Sequence, residues 1–353
     1  MQKRRLGKTG LNVSIIGFGG IKLAGVDRDV AAEVLNKALD MGINFFDTAR
    51  GYGDSETKIG EAISHRRDEF FVCSKSQVKT AEQMKRDVEQ SLTNLKTDYI
   101  DVYLLHNLRL PEQYDTVMSS DGALSALKEA KSQGMIKHIG FSSHRYRETM
   151  KLGIESGEFE VIMVAYNILN DELVDEDVMP LAKENEMGVI VMKPLAGGVL
   201  ASPPEGVDFE GKITVSATQA LRFILANNAV TLAIPGMTKV SEVIENARVG
   251  ETFQEMSEDE KRQLIDAAEA LGKEFCRSCG YCLPCPNGIK ISVILRHLGY
   301  YTRYGLKDWA RERYRMVDVK ACECAECGEC EEKCPYELPI IEKLQQAHQL
   351  LAA

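Results

Sequence analysis

The sequence predicts an α/β fold: a closed (β/α)8 TIM barrel over residues 1–272, followed by a small, mainly helical, cysteine-rich module over 273–353. Three observations carry this expectation. Short apolar runs alternate with segments of helical periodicity, and that alternation imposes parallel strand pairing. Eight such units fill about 250 residues, the size at which a parallel sheet closes on itself. Nine of the ten cysteines then lie between Cys276 and Cys334, so the composition changes abruptly near Gly272-Lys273.

The elements follow in order. Residues 1–10, with the turn Gly7-Lys8-Thr9-Gly10, read as a small hairpin ahead of the barrel. Barrel strands are expected over 13–18, 43–46, 70–74, 100–105, 136–141, 161–166, 188–192 and 231–234. They are nearly continuous apolar runs, as strands covered on both faces should be. Helical periodicity runs over 30–41, 81–95, 124–134, 144–153, 173–187 and 216–227; within 81–95 it repeats at Met84, Val88, Leu92 and Leu95. A further helix is expected over 258–271, and the cysteine module offers helices over 293–300, 307–316 and 339–351.

Composition narrows the function. The chain of 353 residues is 44% hydrophobic and 27% charged, which is globular composition. A net charge of −10 argues against nucleic-acid or anionic-membrane partners. No apolar run approaches the ~20 residues of a membrane span, and the basic start Met1-Gln2-Lys3-Arg4-Arg5 leads into no apolar segment. A cytoplasmic protein is the expectation.

Several strands end on chemistry. The run 43–46 stops at Asp47, and Tyr52 follows between Gly51 and Gly53; the run 70–74 stops at Lys75; the run 100–105 stops at His106. In a parallel barrel the loops after the strands build the active site, so these four side chains converge on one mouth. Their types fit together. A phenol with an ordinary pKa near ~10 is a poor acid at neutral pH, and a neighbouring ammonium favours its ionised form. A buried lysine needs a counter-ion, which Asp47 supplies. A histidine orients a substrate oxygen. Together they make a proton donor for a carbonyl oxygen.

Asp47, Tyr52, Lys75 and His106 resemble, in order and surroundings, the tetrad of the aldo-keto reductases; the resemblance spans residues 5–246. It implies that Tyr52 protonates a carbonyl while NAD(H) or NADP(H) delivers hydride, that Lys75 and Asp47 tune Tyr52, and that His106 places the substrate. A doubly wound open sheet is the alternative fold, but the early glycine cluster, which includes Gly19, lacks the dinucleotide fingerprint. Coenzyme positions match less evenly. Ser142 matches the family's carboxamide contact, while Ser143 stands where asparagine is usual and Met163 where glutamine often is. Met192 stands where an aromatic ring often stacks on the nicotinamide. The run Pro194, Leu195, Ala196, Gly197, Gly198 resembles the loop over the pyrophosphate; Pro235, Gly236, Glu245 and Asn246 resemble the adenosine end. Gly236 and Glu242 stand where phosphate-selective relatives commonly carry lysine and arginine, so the resemblance implies NADH over NADPH, with Lys239 the one nearby cation that could reverse the preference.

The cysteines form two runs. Cys276, Cys279, Cys282 and Cys285 are separated by two residues each and end on Pro286; Cys324, Cys327 and Cys330 repeat that interval, then Cys334-Pro335 follows after three residues. The second run matches the bacterial ferredoxin pattern fully, and the first is one residue short. Two 4Fe–4S clusters need these eight ligands; by the ferredoxin rule Cys334 completes the first set and Cys285 the second. Zinc is the rival, since zinc sites built from four cysteines also use such pairs. Cys322 is left over, and Cys73 reads as a core residue. Barrels with this C-terminal module resemble a branch of the same reductase family.

Two functions from different classes follow. One is an NAD(P)H-dependent carbonyl reductase, or alcohol dehydrogenase in reverse, acting on a small substrate, with clusters that are structural, sensing or docking. The other is an electron-transfer protein passing electrons between a nicotinamide coenzyme and a ferredoxin-like redox partner.

Overall fold

The structure is a computed structural model that describes residues 1–108, 110–144, 146–168, 174–195, 215–272, 276, 282–304, 307–334 and 338–353. These residues group into two compact units, one within Met1–Ser257 and one made mainly of Glu258–Ala353, which also takes in Ile168, Val215 and Ser216. The helix Glu258–Gly272 groups with the second.

The first unit is the barrel. Its strands are β3 (Phe18–Gly19), β4 (Phe45–Asp47), β5 (Phe71–Ser76), β6 (Ile100–Leu105), β7 (Ile136–Ser143), β8 (Val161–Ala165), β9 (Gly188–Met192) and β10 (Leu232–Ala233); the preceding β1 (Lys3–Arg5) and β2 (Asn12–Ser14) form an antiparallel hairpin. Neighbours pair in parallel from β3 through β10 in sequence order. The bridges Ile16↔Ala233 and Gly19↔Gly236 close the ring, with Gly17 N donating to Ala233 O at 2.8 Å and Gly19 N to Pro235 O at 2.9 Å. The architecture is the expected (β/α)8 barrel.

One strand departs from expectation. The run 13–18 is divided: its first part joins the hairpin, Ile16 makes an isolated bridge to Ala233, and the barrel strand proper is Phe18–Gly19. The cause is a side-chain knot. Ser14 N donates to Asn44 Oδ1 at 2.6 Å, Asn44 N donates to Ser14 Oγ at 3.0 Å, and Ser14 Oγ donates to Ile16 O at 2.7 Å. These bonds turn the chain between hairpin and barrel while pairing the buried polar groups there. Leu6, Val13, Phe45, Cys73, Val102 and Ile190 belong to one buried apolar cluster, so the hairpin helps to fill the barrel.

The helix Ala81–Leu95 follows β5 and stops at Lys96, which takes a left-handed φ of 52°. Helices not expected from periodicity occupy Ser55–Ile63, Pro111–Met118 and Val240–Thr252.

The second unit packs Ile291–Tyr304, Lys307–Arg315 and Ile340–Leu351 around Ile294, Leu298, Ala310, Tyr314 and Leu344. Tyr314 Oη accepts from Ala321 N at 2.9 Å and bonds His348 Nδ1 at 2.9 Å, which ties the last two of these helices to the start of the second cysteine run. No helix among the described residues is long and apolar enough to cross a membrane.

Candidate functional site

Side chains alternate along a strand, so in β5 Cys73 and Lys75 face the lumen while Ser74 and Ser76 face the surrounding helices. Lys75 is 0% exposed and Asp47 3%. Lys75 Nζ donates to Asp47 Oδ1 and, at 2.7 Å, to Thr48 O, so the ammonium has exchanged water for two oxygens. Burial works against both charges. At Lys75 the Asp47 carboxylate outweighs it and holds the pKa above the ordinary value; at Asp47 burial raises the carboxyl against the pull of Lys75.

Tyr52 is delivered by a turn closed by Tyr52 N to Ala49 O at 3.0 Å and Ser55 N to Tyr52 O at 3.1 Å. Lys75 Nζ lies 4.8 Å from the centre of the Tyr52 ring, and the His106 ring stands edge-on to it, 5.8 Å between centroids. All four residues therefore gather at one end of the barrel. Burial raises the Tyr52 phenol and Lys75 only partly offsets it, so the net direction is opposite to the lysine's own influence. A phenol so placed stays protonated through neutral pH.

The expected coenzyme positions lie on several elements of the barrel. Gly19 and Gly236 meet at the seam of the barrel. A Cβ on Gly20 would stand 2.4 Å from Asp47 O, so only glycine lets this segment lie against the acid's strand. Ser142 Oγ accepts from Asn107 N at 2.8 Å and Ser143 Oγ donates to Leu108 O at 2.6 Å; both hydroxyls thus also brace the loop after His106. That loop holds Asn107 at a φ of 64°. Met192 and Leu195 are buried at and beyond the end of β9, with Pro194 between them, and Asn167, 2% exposed, donates to Lys193 O at 3.2 Å. Asn167 is a buried amide at the mouth that the sequence reading passed over; its signal was a polar residue just after an apolar strand. Glu242 Oε2 accepts from Thr238 N at 2.6 Å and Lys239 N at 3.2 Å, capping the helix Val240–Thr252. Asn246 is buried in that helix, while Glu245 lines an outer groove with Thr218 and Arg222. Gly198 lies outside the described residues.

In the second unit Cys282, Cys285, Cys324, Cys327 and Cys330 line one cavity, together with Ile291, Ile341 and Leu344. Four of these five are the set the ferredoxin rule assigns to one cluster; Cys282, which that rule assigns to the other, lines the same cavity. Glu326 N points at Cys324 Sγ at 3.4 Å, and Glu326 itself is left-handed at φ 53°. Burial pushes the Cys330 thiol up to about 11. Cys276, Cys282 and Cys334 border the same apolar core, and Cys279 lies outside the described residues.

Comparisons with known proteins agree with this geometry. Residues 15–206 match the aldo/keto reductase family, and residues 275–339 match a 4Fe-4S dicluster domain, which holds two clusters. The chain is 27% identical over 303 residues to the uncharacterized oxidoreductase YqkF of Bacillus subtilis, covering 75% of this chain and 95% of the relative. It is 28% identical over 230 residues to the NADH-specific methylglyoxal reductase of Escherichia coli, covering 57% and 69%. The holo form of aldo-keto reductase AKR11C1 from Bacillus halodurans superposes with a TM-score of 0.67 at 28% identity, covering 76% of this chain and 97% of that one. The chain belongs to the aldo/keto reductase family and carries a C-terminal 4Fe–4S dicluster domain.

Proposed function

We propose that the chain is an NADH-dependent reductase of small aldehydes or ketones, or the corresponding alcohol dehydrogenase in reverse. The observation that carries the reading is the buried Lys75–Asp47 pair set against the Tyr52 ring, with His106 beside it. A nicotinamide coenzyme, when held at the mouth, would supply the hydride. Tyr52 Oη donates its proton to the carbonyl oxygen as negative charge builds there. Lys75 steadies the phenolate left behind, and Asp47 keeps Lys75 charged inside the barrel. His106 orients the same oxygen. Ser142, with Ser143, would hold the carboxamide end, and Gly19, Gly236 and the start of the helix Val240–Thr252 the adenosine end.

The preference for NADH rests on Glu242. Its carboxylate takes the N–H groups of Thr238 and Lys239, and a carboxylate there would repel a 2′-phosphate. A ribose diol can instead donate to it. The Escherichia coli relative that acts on methylglyoxal with NADH supports the same choice. The test is oxidation of NADH and of NADPH against a panel of methylglyoxal, sugar, steroid, aliphatic and aromatic carbonyls, with parent and Glu242→Arg. NADH should be the better coenzyme for the parent, and the variant should move toward NADPH. Tighter use of NADPH by the parent would show that Lys239, or another residue, reads the phosphate. Reduction of a dye or ferredoxin by NADH with no carbonyl present, and no carbonyl-dependent oxidation, would favour the electron-transfer reading.

For the clusters we assign Cys285, Cys324, Cys327 and Cys330 to one and Cys276, Cys279, Cys282 and Cys334 to the other. Bound clusters would supply one-electron chemistry, and Ile291, Ile341 and Leu344 give that cavity an apolar side. Protein purified without oxygen should carry roughly eight iron and eight labile sulfide per chain, falling to about four of each in Cys285→Ala. Zinc without sulfide would sink the assignment.

A further inference from the structure

The two serines that flank Lys75 are engaged on the outer side of β5. Ser74 Oγ donates to Glu56 Oε1 at 2.6 Å, and Ser76 Oγ donates to Asp87 Oδ2. Arg50 faces both carboxylates: its Nη1 lies 2.6 Å from Glu56 Oε2 and its Nε 3.6 Å from Asp87 Oδ1. Its own backbone N–H donates to Lys75 O at 3.0 Å. Two residues further along the same turn is Tyr52.

Glu56 is 1% exposed and takes two more donors, Ser91 Oγ at 2.7 Å and Asn94 Nδ2 at 3.0 Å. A carboxylate stripped of water is costly unless its lone pairs are filled, and here each oxygen has two donors. Arg50 is thus joined to the strand that carries the lysine by its own N–H bond to Lys75 O and through the Glu56 carboxylate, and it is ion-paired at 3.6 Å, without a hydrogen bond, with the Asp87 that Ser76 binds, while it sits in the turn that carries the phenol.

We propose that Arg50, with Glu56 and Asp87, is a positioning group that fixes the Tyr52 hydroxyl relative to the Lys75 ammonium. The proposal rests on the reading of Tyr52 as proton donor. Displacing a reacting group by about 1 Å from outside the chemistry can lower a rate about 10²-fold, and that is the lever this network holds. Its contacts with β5 are made through Ser74 and Ser76, on the side opposite to Lys75, so its loss should appear in kcat and not in KM.

The experiment uses the full chain with its clusters and the most active aldehyde of the panel. Arg50→Gln and Asp87→Asn should each lower kcat roughly tenfold or more while KM stays within about a factor of two. Asp87→Asn keeps the Arg50–Glu56 pair and so gives a folded variant even if Arg50→Gln does not. Both substitutions are then repeated on Tyr52→Phe. There they should leave the residual rate unchanged, because the group they place is gone. The same fold-loss in both backgrounds, or full kcat in Asp87→Asn, would overturn the positioning role and leave Tyr52 as the acid. A Tyr52→Phe enzyme as fast as the parent would overturn both.

Discussion

Tyr52→Phe is expected to lower carbonyl turnover by about 10²–10⁴-fold, the span that a positioned general acid contributes. The substitution removes one oxygen and keeps the ring that packs between Lys75 and His106. Coenzyme binding and the melting temperature should therefore stay close to those of the parent. The comparison that checks it is kcat for the two enzymes with the same aldehyde, together with coenzyme titration. Raised by burial, the phenol holds its proton through neutral pH and releases it only as charge develops on the substrate oxygen. Equal turnover in the two enzymes would remove Tyr52 from the chemistry.

Lys75→Met should cost both activity and fold. Lys75 and Asp47 are both buried and paired, and removing one partner of such a pair strands the other charge. The expected loss is about 3–5 kcal/mol, a fall in melting temperature on the order of 10 °C. Adding Asp47→Leu to Lys75→Met removes the stranded charge, so the double variant should regain most of that stability and none of the activity. Differential scanning fluorimetry and turnover measured on the same three proteins check both halves. A single variant that melts like the parent would mean that Asp47 simply takes up a proton and that the pair contributes little to stability.

These expectations draw on residues that sequence alone could place. Ile100–Leu105, Gly188–Met192 and Ala81–Leu95 occupy the spans that periodicity indicates, because each is a clean apolar run or stripe between breakers. The four residues at the mouth could be read for the same reason: each ends or follows such a run. The helix Ser55–Ile63 could not. Ser55, Glu56 and Lys58 are buried in it, so polar residues occupy positions where an amphipathic stripe would show apolar ones. Arg50 was equally opaque. Its partner Asp87 is 37 residues away in sequence, and only the fold brings them together. The division of the run 13–18 depends on Asn44, 30 residues beyond Ser14. The capping role of Glu242 lies nearer the surface of the sequence, three residues after Lys239, but the charge suggested a coenzyme contact before it suggested a helix start.

The ring of strands also sets an order of events during synthesis. Ile16 pairs with Ala233, 217 positions further along the chain, so the first barrel strand leaves the ribosome long before its second neighbour exists. Until then β3 has a partner on one side only, and the growing sheet carries an open edge there and another on whichever strand was made last. Unpaired edges of apolar strands invite wrong partners. The two-residue length of β3 keeps the waiting edge short, and the hairpin before it gives Val13 and Leu6 a place to shelter. Closure over so long a loop adds only a logarithmic entropy cost, yet it makes the meeting of Gly19 with Gly236 the final step of the barrel's assembly. The seam where Gly19 meets Gly236 is thus the last part of the barrel to come into being.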